Sequence, residues 1–276
     1  MRQMILSIAV ILAAACAPRA EYDIETDFNQ RIETGGLSGD ELARAYIDRG
    51  ILRLAAKETG AALADFNLAI ATAPNLADGY VWRGVATDTS GDPVRAKEDY
   101  DRAVAVDPNS WLAHGARGLL MARNQEDDLA LRELDLALDL GKAHEGEYLV
   151  RELKTRKIMR QNRIGPPATG TSTQKLVISV NEQLANYRVI RSLIFMKKND
   201  QEMALLESGE AVRLAPTSML AQMNRAKILL MLGRCDEAKT QFEDMAKQTG
   251  ISFKPKVWIK FAGMPPDQNK CPELAE

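Results

Sequence analysis

Three cysteines, two histidines and a recurring set of arginines and acids are the residues of this 276-residue chain whose types and spacing suit chemistry. With Cys16 set aside, Cys235 and Cys271 form an even pair. In an oxidising compartment a bond between them would close a loop of 36 residues and contribute about 4 kcal/mol through chain entropy. The alternative is two free thiols. His114 and His144 lack zinc-ligand spacing, and no nucleophile elbow is present. GPPATGTS (165–172) has the two glycines and the final hydroxyl of a phosphate loop, but Thr171 stands where lysine would neutralise phosphate. Glu126-Asp127-Asp128 lacks the ligand spacing of a calcium loop. This inventory leads to the expectation of no enzyme, no catalytic residues, no metal site and no cofactor.

The remaining candidates are periodic. Arg49, Arg83, Arg117, Arg191 and Arg225 are each followed, sixteen residues on, by Asp65, Asp99, Glu133, Glu207 or Gln241. A guanidinium on one helix and a carboxylate on its antiparallel neighbour would form a charge-assisted clasp that satisfies both charges. A row of ligand-binding arginines is the rival reading.

The elements that must position these pairs are legible as columns. Tyr46, Gly50, Ala62, Phe66, Ala69 and Pro74 are matched 34 residues later by Tyr80, Gly84, Ala96, Tyr100, Ala103 and Pro108. Gly118, Ala130, Leu134 and Ala137 continue the series, with His114 in the tyrosine column as a packed residue. Ser192, Ala204, Ala211 and Pro216 resume it, followed by Ala226, Ala238, Phe242 and Gly250. Small residues let two helices approach, bulky ones fill the space beside them, and proline ends each unit. No unit buries its apolar face alone, so neighbours must stack.

These columns resemble the tetratricopeptide repeat family. The resemblance implies an all-α fold, a right-handed superhelix of antiparallel helix pairs, with a concave groove lined by the first helices. Carried over residue by residue, the groove comprises Ile47, Ile51, Leu54, Val81, Val85, Asp88, Leu119 and Arg123, then Val189, Leu193, Met196, Met223, Lys227 and Met231. This mostly apolar, methionine-containing row suits an amphipathic helix or extended peptide, unless the chain's own segments fill it. Address and architecture resemble envelope lipoproteins of the NlpI and pilus-assembly kinds. A protein-binding adaptor for envelope proteins or peptides is the first expectation; a structural piece of a pilus or secretion complex is the second, and an envelope enzyme the third.

Between Arg151 and Arg191 the spacing is 40 residues instead of 34, and GPPATGTST (165–173) breaks any helix. The expected organisation is a signal peptide over 1–15, a lipidated N-terminus and tether over 16–37, and three repeats over 38–142. A degenerate repeat with a loop insertion (143–182), or a joint between two blocks, then precedes two repeats (183–250) and a capping segment (251–276). Ser38-Gly39-Asp40-Glu41 reads as a capping box. RELKTRKIMRQNR (151–163), with six basic residues against one acid, reads as a solvated helix or as a patch for anionic headgroups or peptidoglycan. Trp258, Ile259 and Phe261 are expected to cap the last unit.

Composition is in accord: 46% apolar and 27% charged residues with only 5% aromatic favour a helical core rich in small side chains. A net charge of −2 gives no field for nucleic acid. At the N-terminus MRQ and the apolar run before Cys16 form a secretory signal, too short for a comfortable membrane span. LAAAC resembles the bacterial lipobox, with Ala13 in place of the preferred leucine, so cleavage after Ala15 and an uncleaved anchor are the rivals. Ala17 after the cysteine points to the outer membrane over the inner, so the expected location is the periplasmic side of the outer membrane, with soluble periplasmic or secreted protein as alternative. Oligomeric state is not encoded in these patterns. Replacing Cys16 with Ala is expected to abolish metabolic labelling by a palmitate analogue and to release the protein from membranes; unchanged labelling would exclude lipid attachment at this residue.

Overall fold

The computed structural model describes residues 29, 32–145, 148–155, 172–250, 259, 268–271 and 274. Ten α-helices of the described residues form five antiparallel units. These are α1 (Gly39–Ala55) with α2 (Thr59–Thr72), α3 (Ala77–Thr89) with α4 (Pro93–Val106), and α5 (Trp111–Arg123) with α6 (Asp127–Gly141). Then come α7 (Val180–Lys197) with α8 (Gln201–Leu214), and α9 (Met219–Leu232) with α10 (Cys235–Thr249). Successive units stack into the superhelix implied by the column pattern.

Every unit reverses direction on a left-handed residue in one column: Lys57, Gly91, Gln125, Asn199 and Gly233 all have positive φ. Only two of the five are glycine, so packing of the helices they join overrides an intrinsic penalty of ~1 kcal/mol per L residue. Side-chain caps nucleate four helices, two directly after these reversals and two at the turns between units. Asp92, Ser110, Asp200 and Ser218 accept from the backbone N–H of Arg95, Ala113, Met203 and Ala221. The capping box expected at Ser38 does not form: Ser38 occupies the N-cap with extended backbone, but only its carbonyl receives a bond, from Glu41 N–H.

Close approach within a unit depends on the small column. A Cβ on Gly50 would come within 2.5 Å of the Phe66 ring, one on Gly84 within 2.5 Å of Tyr100, and one on Gly118 within 2.9 Å of Leu134. Ser192, fully buried, holds that place in the fourth unit by turning its hydroxyl onto the Val189 carbonyl.

The helical expectation for the centre of the chain is corrected. Residues Tyr148–Thr155 form strand β1 and Ser172–Ser179 form β2, paired antiparallel from Tyr148↔Ser179 to Thr155↔Ser172. The start of the basic run therefore lies in a strand; residues 156–171, with the rest of that run and most of the glycine-proline stretch, lie outside the described residues. β2 has the local preference for this, since STQKLVIS contains several β-branched residues.

The hairpin is an excursion from an unbroken stack, and the alternative of a joint between two blocks is likewise corrected. Tyr187 of α7 drops into the notch at Gly115 of α5, where a Cβ would meet its ring at 2.1–2.5 Å. Trp111 packs edge-on to the same ring at 6.3 Å. Gly141 of α6 receives Leu184, and Arg191 reaches back to Asp135 at 2.6 Å. The α7–α8 unit thus sits on α5–α6 as a direct neighbour.

At the far end Cys235 and Cys271 are bonded, with Cα atoms 5.5 Å apart. Cys271 is fully buried among Phe242, Met245 and Ile259, and Lys270 N–H donates to the Leu230 carbonyl, so the tail closes the last unit. Trp258 and Phe261 lie outside the described residues, as do Cys16 and the whole of 1–28.

Gly115→Ala is expected to cost about 1–3 kcal/mol by overpacking against Tyr187. Tyr187→Leu in the same chain should recover part of that loss in urea denaturation. Additive losses would mean that the two residues do not meet across the insertion.

Candidate functional site

Four of the five arginine–acid pairs meet. Arg49 lies 2.6 Å from Asp65, Arg83 2.6 Å from Asp99, Arg117 2.8 Å from Glu133, and Arg191 3.3 Å from Glu207. Asp65 and Glu207 are 1% and 3% exposed, so each carboxylate spends its charge inside the protein. The bond to Asp99 holds the Arg83 guanidinium still further above its ordinary pKa. Two of the acids take a second cation that the period does not announce: Arg53 on Asp65 at 2.8 Å and Arg188 on Glu207 at 3.1 Å.

Each clasp also ties one unit to the unit before it. Arg83 Nη1 donates to Asn67 at 2.9 Å, Arg117 Nη1 to Asp101 at 3.2 Å, and Arg191 Nη1 pairs with Asp135 at 2.6 Å. Asn67, Asp101 and Asp135 form a column two residues after the clasp acids. Arg49, with no earlier unit among the described residues, finds Asn29 at 2.5 Å instead. The result is a ladder along the solenoid, and its arginines have their anions already. In the fifth unit Gln241 does not take up the clasp.

The tyrosine column is structural too. Tyr80 donates to the Pro74 carbonyl at 3.2 Å, Gln222 donates to Pro216, and His114 places Nε2 3.0 Å from the Pro108 carbonyl and Nδ1 2.8 Å from Glu133. His114 is a packed repeat residue with both ring nitrogens occupied. Of the acidic triplet, Asp127 pairs with Lys197 at the end of α7 and Asp128 with Lys198, the residue that follows it. Among the described residues no three His, Cys, Asp or Glu side chains are grouped to hold a metal.

The concave row is narrower than its residue list. Ile47, Ile51, Leu54, Val81 and Val189 are only 1–6% exposed and belong to the core; their assignment to an open groove is corrected. The reason is stacking: Val81, for example, packs in one cluster with Ala113, Ala116 and Leu120 of the next first helix. Left half-buried are Val85, Asp88, Leu119, Arg123, Leu193, Met196, Met223, Lys227 and Met231. Val85 bridges the clusters of the first and second units, and Leu119 and Leu193 lean on the central one. Asp88 and Arg123 pair with each other across two units, the guanidinium bonding both carboxylate oxygens. That pairing over 35 residues falls outside the repeat period and was not readable as a pair. The resulting surface is an apolar strip through Met196, Met223 and Met231, with an ion pair towards one end and Lys227 between Met223 and Met231.

Asp78, in the first turn of α3, carries a perturbed carboxyl. Burial raises its pKa, the Arg44 guanidinium opposes this, and Asp107 adds to it. A cavity of about 180 Å³ opens where the insertion replaces a proline-ended turn, lined by Lys142, Arg188 and Arg213 and by Asp139, Glu145 and Glu210. With charges of both signs already opposed, it favours no one ligand charge.

Comparison with known proteins locates the fold. No family model matches the chain and no curated protein is matched. Among solved structures it is similar to pilF of Pseudomonas aeruginosa, at 15% identity over 86% of this chain and 88% of that one, with a TM-score of 0.58. It is also similar to TTC0263, a thermophilic TPR protein of Thermus thermophilus, at 17% identity over 81% and 100%, with a TM-score of 0.52. These likenesses show a tetratricopeptide-repeat superhelix.

Because the fold favours the protonated form of Asp78, its contribution to stability is greatest at low pH. It declines as pH rises from the ordinary value of 3.8 through the raised folded value. Asp78→Asn is therefore expected to be more stable than the parent in urea at pH 7 and to lose that advantage near pH 3. A variant less stable than the parent at pH 7 would show that attraction to Arg44 outweighs burial.

Proposed function

We propose that the protein is a non-enzymatic scaffold that holds protein or peptide partners along its concave face, anchored at the outer membrane of a bacterial envelope through a lipid on Cys16. The observation that carries the reading is the half-buried apolar strip of the first helices, Leu193, Met196, Met223 and Met231, left open after stacking has consumed the neighbouring columns. Unbranched methionines adapt to different apolar partners, and a concave helical face accepts an amphipathic helix or an extended chain. The ladder supports it from below: with clasp charges internally satisfied, the arginine row is fixed framework and the strip is presented by rigid elements. For the address, the signal-like N-terminus and the bonded pair Cys235–Cys271 both suit an oxidising envelope compartment.

The stack's continuity past the insertion favours a second role as a rigid spacer within a larger envelope assembly, such as a pilus or secretion complex. The two roles are separable, because a spacer tolerates loss of the strip.

Pull-down from detergent-solubilised envelopes with the mature chain as bait tests the strip directly. Met196→Glu places a charge where a partner buries apolar area and is expected to weaken capture by about 2 kcal/mol. Its cost to folding should stay within about 0.5 kcal/mol, read by circular dichroism melting. Undiminished capture by the folded variant would move the partner to another surface. Val85 is unsuitable for this test, since its substitution would disturb two core clusters.

A further inference from the structure

The ladder is complete at its first four arginines and incomplete at the fifth. Arg83, Arg117 and Arg191 each hold the acid of their own unit and an acceptor of the unit before. For Arg225 both are missing from the sequence: Gln241 stands in the acid column, and Gly209 stands where Asn67, Asp101 and Asp135 stand. Among the described residues no hydrogen bond or ion pair is made by Arg225. Yet its guanidinium has gone to the ladder position. A Cβ built on Gly209 would lie 2.5 Å from its Nη1, and the side chain is half-buried there. A cationic fork thus fills the place over Gly209 where the preceding junctions carry Asn67, Asp101 or Asp135, and it has no anion there.

We infer that Arg225, its guanidinium set over Gly209, is a receptor for a carboxylate presented from outside, an acidic side chain or the terminal carboxylate of a bound polypeptide. A planar guanidinium matches a carboxylate in a two-bond fork, and a half-buried one without an anion gains more from it than a solvated one does. The charge count favours a monoanion. The flanking Glu210 is held by Arg213 and Glu207 by Arg188 and Arg191, so one guanidinium is left over and a dianionic phosphate would be half-compensated. At 100° per residue Arg225 lies on the opposite side of α9 from Met223 and Lys227, so this is a second site, off the concave strip. It deepens the scaffold reading by naming a partner chemistry, and rests on that reading only for where the carboxylate comes from.

The test uses small carboxylates, so its failure leaves the scaffold reading to the pull-down. The full chain, labelled with ¹⁵N-arginine, is titrated with acetate, with N-acetylglycine as a terminal carboxylate and with N-acetylaspartate amide as a side-chain carboxylate. Sodium chloride at matched ionic strength is the control. The Arg225 Nε–Hε resonance, assigned by its loss in Arg225→Gln, is expected to shift saturably with the carboxylates and not with chloride. The resonance of Arg83, already bonded to Asp99, should stay in place. Tighter saturation by one of the two acetylated compounds identifies the source. Gly209→Asp supplies the anion from within; the added Cβ meets only the flexible tip of Arg225, so the variant should fold and its Arg225 should cease to respond. An Arg225 that moves no more than Arg83 with every carboxylate overturns the inference, as does a Gly209→Asp protein that responds like the parent.

Discussion

Two helices of a unit can lie against each other only where one of them has almost no side chain, and the rest of the structure depends on that approach. At Gly50, Gly84 and Gly118 an added methyl group would collide with Phe66, Tyr100 and Leu134 of the opposing helix. The same closeness brings the residue before each glycine within reach of the residue before each bulky one. A leucine there would be ordinary packing. With arginine and acid instead, the contact becomes a desolvated ion pair whose charges must be matched or the unit would not close.

Matching them locally still leaves part of each guanidinium unsatisfied, and the fold resolves this by reaching across the unit boundary. Asn67, Asp101 and Asp135 accept what the clasp acids do not. The ladder therefore couples neighbours as well as partners, which in a solenoid is where cooperative stability resides. Its passage from Asp135 to Arg191 shows that the hairpin between them is accommodated outside the stack, at the cost of a cavity where the short turn would have been.

The functional surface is what this architecture leaves over. First helices that stack side by side consume one column of the groove, and ion pairs such as Asp88–Arg123 consume part of another. A half-exposed methionine strip remains on one face of the last units, and an arginine without its anion on another. Both lie in the two units after the insertion, where the repeat departs most from its own pattern of charge.

Sequence alone determined whatever recurs at 34 residues: the helix pairs, the small and bulky columns and the arginine–acid clasps. Such features are local to one unit, and repetition averages away the noise of any single copy. Tertiary structure decided what depends on the contact between units. Ile47, Val81 and Val189 look like groove residues in any one repeat and become core only when the next first helix lies on them. The residues from 148 to 179 read as a failed helical unit because the period was extended through them; pairing of Tyr148–Thr155 with Ser172–Ser179 is non-local and leaves no periodic trace. The vacancy at Arg225 needed both levels: the sequence shows Gly209 and Gln241 in the acceptor columns, and only the fold shows that the guanidinium still goes to the place they leave empty.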